Sequence, residues 1–151
     1  MEAFVNIAGL APLRSLFFRF GLDLINNQDL LEEIAQYAMF SIKKRTLAGK
    51  DVNEENFIPY SPRYMLIRAS AGRPINKVDL FFTGSMQASM TSDITGNLVR
   101  LYFLNTKDRT GTSNPLKAFF LNEDRNFFAL SENDVQEIIN IVEEYIRNLI
   151  S

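Results

Sequence analysis

The chain has 151 residues, of which 46% are hydrophobic, and its 16 basic and 18 acidic side chains give a formal charge of −2. The hydrophobic content excludes a disordered chain, and the length predicts a single domain over residues 1–151. The lack of a basic excess argues against a protein whose main function is to bind nucleic acid. Because Cys and His are absent, we expect no enzyme, no catalytic residue, no metal site and no cofactor.

The sequence shows no sign of a membrane protein. No run approaches the roughly 18 apolar residues of a membrane-spanning helix. The apolar N-terminal stretch has no basic residue before it and is interrupted by Arg14, unlike a signal peptide. We therefore expect synthesis in the cytosol and no membrane partner.

The first half of the chain carries two helix signals. Residues 12–20 have apolar side chains at helical spacing after a proline, and a helix this short needs a packing partner. The stronger signal covers residues 28–48, which follow Asn26 and Asn27 as candidate caps. Acidic residues in its first turns and basic residues 43–45 in its last turn complement the helix dipole.

The centre of the chain has unusually specific local signals. Prolines within residues 57–64 favour extended backbone before them. Ser61 is predicted to cap a short helix with Pro62 at its first position, and Gly72 and Pro74 are predicted to end it.

Four strands are predicted, at residues 78–82, 90–94, 98–104 and 116–121; the first is an apolar run and the third is strongly prone to β structure. A short helix beginning at Gly84 separates the first two strands. A Thr-Gly-Asn turn separates the second and third, which predicts a β-hairpin.

The last strong signal is a helix capped by Ser131, with Asp134 in capping-box position and a continuous apolar stripe that includes Ile139 and Val142. The polar residues 105–114 predict a mobile loop that projects as a hairpin arm between two strands. The predicted fold is α+β, with two long helices packed on a small, mostly antiparallel sheet and this projecting hairpin loop.

Three stretches carry a resemblance to a known family. Residues 57–64 read F-x-P-Y-S-x-x-Y, an apolar run leads into Thr-Gly-Ser-Met at 83–86, and residues 125–131 read R-N-F-F-A-L-S before an acidic helix. In this order they resemble the phage virion morphogenesis family, the Mu-like tail completion and head–tail connector proteins. The match covers about half the chain. Ala129 stands where the family usually has Gly, and the family's His- and Gly-rich loop is missing.

The resemblance implies a structural virion protein of the phage neck, either a head–tail connector or a tail-completion (tail-terminator) ring. Its implied partners are other copies of itself in a six- or twelve-fold ring, portal-side connector proteins and tail tube proteins. DNA passes through the channel without specific binding, and the implied location is the virion after assembly in the host cytoplasm. The predicted interface residues are Phe57, Pro59, Tyr60, Tyr64, Met86, Lys107, Arg109, Phe119 and Phe127.

Two other functions remain open from the sequence alone. A nucleic-acid-binding module would use phosphate contacts beside the aromatic rings. Its basic residues would be Lys43, Lys44, Arg45, Lys50, Arg63, Arg68 and Arg73. A carboxylate-dependent hydrolase would instead hold a divalent ion with Asp51, Glu54 or Glu55.

Overall fold

The computed structural model describes the backbone of residues 2–6 and all of residues 27–151. The helix predicted at residues 12–20 lies outside the described residues. In chain order the elements are β1 (Glu2–Asn6), α1 (Gln28–Leu47), α2 (Pro62–Ser70), α3 (Ser85–Ala88), β2 (Met90–Thr95), β3 (Leu98–Phe103), α4 (Asn114–Arg125) and α5 (Glu132–Ile150).

The three strands form one antiparallel sheet in the order β1–β3–β2. The predicted hairpin of β2 and β3 is confirmed, with Thr95 opposite Leu98 across a two-residue turn. Gly96 in that turn has a φ of +61°, which glycine adopts without steric penalty. Strand β1, which the sequence analysis did not predict, pairs with β3 along its whole length.

The two long helices pack together and α1 covers the β2–β3 face, so the predicted α+β architecture is confirmed. Buried side chains from both helices and from β3 form the core, including Ile34 of α1, Leu101 of β3 and Val142 of α5. The predicted capping box of Ser131 and Asp134 begins α5. Among the helices of the described ranges, none combines the length and apolarity needed to cross a membrane.

A buried ion pair joins the two long helices. Arg45 of α1 donates to the Asp134 carboxylate and to the carbonyl oxygens of Phe127 and Ala129, and the Ser41 hydroxyl also donates to Asp134. Burial alone would raise the pKa of Asp134, but these donors and the Ser131 N–H hold it below its ordinary value. The start of α5 is therefore fixed to the end of α1.

Two predicted strands are wrong. Residues 116–121 lie within α4, because Pro115 stands in the first turn of a helix that follows the extended Ser113. Residues 78–82 are irregular, and Leu80 has a φ of +51°. Their polar groups bond to side chains, including Arg68, rather than to a neighbouring strand.

The predicted hairpin arm at residues 105–114 is also wrong, because the chain enters α4 instead of returning as a strand. The loop closes on itself: the Asp108 carboxylate accepts the N–H groups of Thr110 and Thr112, and the Asn114 N–H donates to the Thr106 carbonyl at 2.8 Å. These hydrogen bonds hold the loop in a closed turn, and its predicted mobility stays a prediction.

Candidate functional site

The three stretches that carry the family resemblance meet at one surface cleft of about 390 Å³. The stretch at residues 57–64 supplies Tyr60, Ser61 and Tyr64. The 83–86 turn supplies a second wall, and α4 supplies a third that ends at Arg125. The remaining lining residues are Leu80, Phe82, Thr83, Gly84, Ser85, Met86, Gln87, Lys117 and Leu121.

Arg68 of α2 organises the irregular wall of the cleft. It is fully buried, and its guanidinium donates to the carbonyl oxygens of Pro74 (2.8 Å) and Phe81 (3.0 Å). A third hydrogen bond, at 2.9 Å, joins Nη2 to Oδ1 of Asp79 in an ion pair. One side chain thereby satisfies backbone acceptors of a segment that has no strand partner.

Tyr60 links α2 to this wall. Its hydroxyl oxygen accepts the N–H of Leu80 at 3.0 Å and its proton points to Asp79 at 3.4 Å. Burial raises the pKa of Tyr60, although the nearby Arg68 opposes that rise. The ring packs edge-on against Tyr64 with centroids 5.0 Å apart, so the two rings form an aromatic floor.

The turn into α3 requires a glycine. Gly84 has a φ of +81°, and a Cβ at this position would lie 2.8 Å from the Phe81 ring. The following Ser85 accepts a hydrogen bond of 2.9 Å from the fully buried Asn114 at the start of α4. These contacts fix the distance between the 83–86 turn and α4.

Arg125 supplies positive charge to the cleft. Its guanidinium carbon lies 5.6 Å from the centroid of the Tyr60 ring. Its Nε is buried, and no residue of the described chain accepts a hydrogen bond from this guanidinium. The other cation, Lys117, pairs with Asp108, and this pairing together with the Thr110 hydroxyl holds the pKa of Asp108 well below its usual range. Arg125 is therefore the cation of the cleft that has room for a carboxylate.

The structure separates the predicted interface residues into two groups. Phe127 lies in the core at 1% exposure, so its prediction as a partner contact is wrong, whereas Phe57, at 6% exposure, lines a second small cleft with Pro59 and stays a prediction. Tyr60 and Met86 are also buried, but they remain accessible as cleft wall. Phe127 packs on Phe103 at a centroid distance of 6.4 Å, which explains its burial.

The other predicted residues lie at the surface or at its edge. Pro59, Lys107 and Arg109 are exposed and Tyr64 is half-buried in the cleft. Phe119 is 45% exposed on α4. It lies on the outer face of that helix and does not line the cleft, so the predicted set does not form one surface.

Helix α4 carries an exposed apolar stripe that was not predicted, because a strand was expected at these residues. Leu116, Phe119 and Phe120 are 49%, 45% and 57% exposed and lie at i, i+3 and i+4 on one helix face. Glu123 and Asp124 continue this face toward the C-terminal end and form no ion pair with any described residue. Reading residues 114–125 with a helical period would have revealed the stripe.

Some residues of the two alternative functions are engaged elsewhere, whereas Lys44 and Arg63 are exposed. Arg45 and Arg68 are buried in ion pairs with Asp134 and Asp79, where they cannot contact phosphate. Asp51 accepts the N–H groups of Asn53 and Glu55 within its loop. In the described part of the chain, no cluster of three or more potential metal-ligating side chains occurs.

Comparisons with protein-family models, curated proteins and solved structures found no match for this chain. The geometry itself defines an α+β domain with an aromatic cleft beside an exposed apolar helix face. A functional assignment therefore has to come from the residues of the cleft and of α4.

Proposed function

We propose that this chain is a structural virion protein of the phage neck, a head–tail connector or tail-completion ring that joins head and tail. The observation that carries the proposal is the convergence of residues 57–64, the 83–86 turn and Arg125 on one cleft. Arg125 is distant in sequence from residues 57–64 and from the 83–86 turn, and a chance resemblance gives no reason for it to share a site with them.

The surface of α4 supports a role in assembly. Two neighbouring phenylalanines, Phe119 and Phe120, stand in edge-on contact with centroids 5.6 Å apart and both are about half exposed. Such aromatic pairs, rimmed by charged residues, are typical of protein–protein contacts. In a subunit that functions only within a ring, aromatic side chains of the interface are exposed in the isolated copy.

The site residues are used for structure rather than for chemistry. The Tyr60 hydroxyl, the Arg68 guanidinium and the Asp79 carboxylate bond to one another and to backbone groups. In the proposed ring, the chain contacts copies of itself in six- or twelve-fold symmetry, portal-side proteins and tail tube proteins. DNA crosses the channel without a specific binding site.

The proposal is tested by removing the chain from the phage that encodes it. A nonsense mutation should give DNA-filled heads and separate tails in electron micrographs, because nothing would join them. The wild-type chain supplied in trans should restore joined particles. Normal infectious particles in the absence of the chain would overturn the proposed function.

A further inference from the structure

Helix α4 carries two complementary features on different faces. Lys117, Leu121 and Arg125 lie at i, i+4 and i+8 and face the cleft. Phe120 and Asp124 lie at i and i+4 on the exposed stripe, and at 3.6 residues per turn they are roughly 140° and 100° around the axis from Arg125. An unpaired cation inside a cleft and unpaired carboxylates beside exposed aromatic rings therefore occur in the same chain.

We propose that the cleft of each copy receives the α4 stripe of a second copy, with Phe120 on the Tyr60–Tyr64 floor and Glu123 or Asp124 beside Arg125. This inference rests on the proposed ring and names the contact that builds it. The half-buried Arg125 then gains an acceptor for a guanidinium that has none among the described residues.

The contact is directional. The stripe and the cleft lie on different faces of α4, so a copy cannot insert its stripe into its own cleft. In a ring, each copy binds one neighbour through its stripe and the other neighbour through its cleft. An interface between two different surfaces is heterologous, and it produces a ring when the rotation between copies closes. In a two-fold dimer the same two copies would form both stripe–cleft contacts at once, so the mass of the assembly in ultracentrifugation distinguishes a dimer from a ring.

A second copy explains more than a small ligand does. A cleft of about 390 Å³ lies within the roughly 300–1,000 Å³ range of small-molecule sites, and an apolar carboxylic acid would suit its charge. Such a ligand would leave Leu116, Phe119 and Phe120 in water. A neighbouring copy buries these side chains and pairs Arg125 in a single interface.

Self-association of the full chain, measured by analytical ultracentrifugation, tests the contact. Phe120→Asp on the stripe and Thr83→Trp on the exposed cleft rim should each weaken association by about tenfold or more, since central aromatic contacts dominate interfaces. The control is Phe40→Asp, which alters a residue 62% exposed on α1 and should leave association unchanged. Circular dichroism checks that all three variants fold.

Mixing the two defective variants distinguishes a directional contact from a symmetric one. Phe120→Asp retains a good cleft and Thr83→Trp retains a good stripe, so an equimolar mixture should form heterodimers and nothing larger. Failure of the mixture to associate, equal weakening by Phe40→Asp, or a wild-type chain that stays monomeric at millimolar concentration would each overturn the proposal.

Disulfide trapping provides an independent readout, because the chain has no native Cys. A Thr83→Cys chain mixed with a Phe120→Cys chain should give a crosslinked heterodimer on oxidation, whereas each alone should give none. Homodimers of either variant, or no crosslink, would contradict the contact. If joined particles still require the chain while no crosslink forms, the inference fails and the proposed function stands. If the crosslink forms but particles are normal without the chain, the proposed contact stands and the proposed function fails.

Discussion

Nη2 of Arg68 lies 2.9 Å from Oδ1 of Asp79, and in this ion pair the arginine is fully buried and the carboxylate is partly buried. The guanidinium carbon also lies 4.6 Å from the centroid of the Tyr60 ring. Since the segment around Asp79 has no strand partner, its position depends on this arginine. The ion pair therefore connects the stability of the domain with the shape of the candidate site.

Replacing Arg68 with Met should destabilise the domain by roughly 3–5 kcal/mol, because the substitution leaves a partly buried carboxylate and backbone carbonyls without partners. Urea unfolding gives the difference in free energy. The control is Arg63→Met on the same helix, which alters an exposed side chain and should cost less than about 0.5 kcal/mol. Equal stabilities of the two variants would refute the structural role of Arg68.

Asp134→Asn should lower stability at pH 7 and lose its effect in acid. The folded-state pKa of Asp134 is below its unfolded value of about 3.9, so the carboxylate stabilises the fold above about pH 4. That contribution declines as the pH falls through the folded pKa. The gap between wild type and variant in urea unfolding should therefore be full at pH 7 and shrink below about pH 4.

Glu132→Gln, at an exposed position of the same helix end, serves as the control for this experiment and should show little change at either pH. A gap for Asp134→Asn that stays constant from pH 7 to pH 3 would contradict the assigned role of the carboxylate.

Gly84→Ala should destabilise the domain more than Gly111→Ala does. Both glycines have a φ of +81°, so both substitutions carry a backbone penalty of about 1–2 kcal/mol. Only the Cβ at position 84 meets the Phe81 ring, whereas nothing lies within 4 Å of the Cβ at position 111. The difference between the two unfolding free energies measures the contact with the cleft wall, and no difference would show that the ring moves freely.

Val142→Asp should unfold the domain or cost several kcal/mol, because Val142 is fully buried and the new carboxylate would have no partner. Asn140→Asp, on the exposed face of α5, is the matched control. A thermal midpoint within a degree or two of wild type for Val142→Asp would mean that the stripe of α5 does not face the core.

The helices with local signals were predictable from the sequence. Ser61 caps α2 and Ser131 caps α5 through hydrogen bonds to backbone N–H groups three residues ahead, and such signals need no tertiary information. The residues 116–121 were predicted as a strand because an apolar run after the polar loop resembles the returning strand of a hairpin. In α4 the Phe119 and Phe120 rings instead face outward, and Pro115 was the overlooked helix signal.

Features that depend on long-range contacts were not predictable. Strand β1 is defined by pairing Glu2 with Tyr102, which is about two thirds of the chain length away. The irregular wall around Asp79 is defined by Arg68, a residue whose sequence context indicates only a helix. Each motif of the cleft can be recognised in the sequence, but only the three-dimensional fold shows that the motifs lie together.

The most direct test of the account is a cryo-EM reconstruction of a virus particle that contains this chain, which under the proposed function lies at the neck between head and tail. The account predicts a closed ring of copies between portal and tail, with Phe120 of each copy in the cleft of the next and a carboxylate beside Arg125. A neck that lacks the chain would contradict the proposed function. A ring in which α4 faces solvent or the DNA channel would contradict the proposed contact.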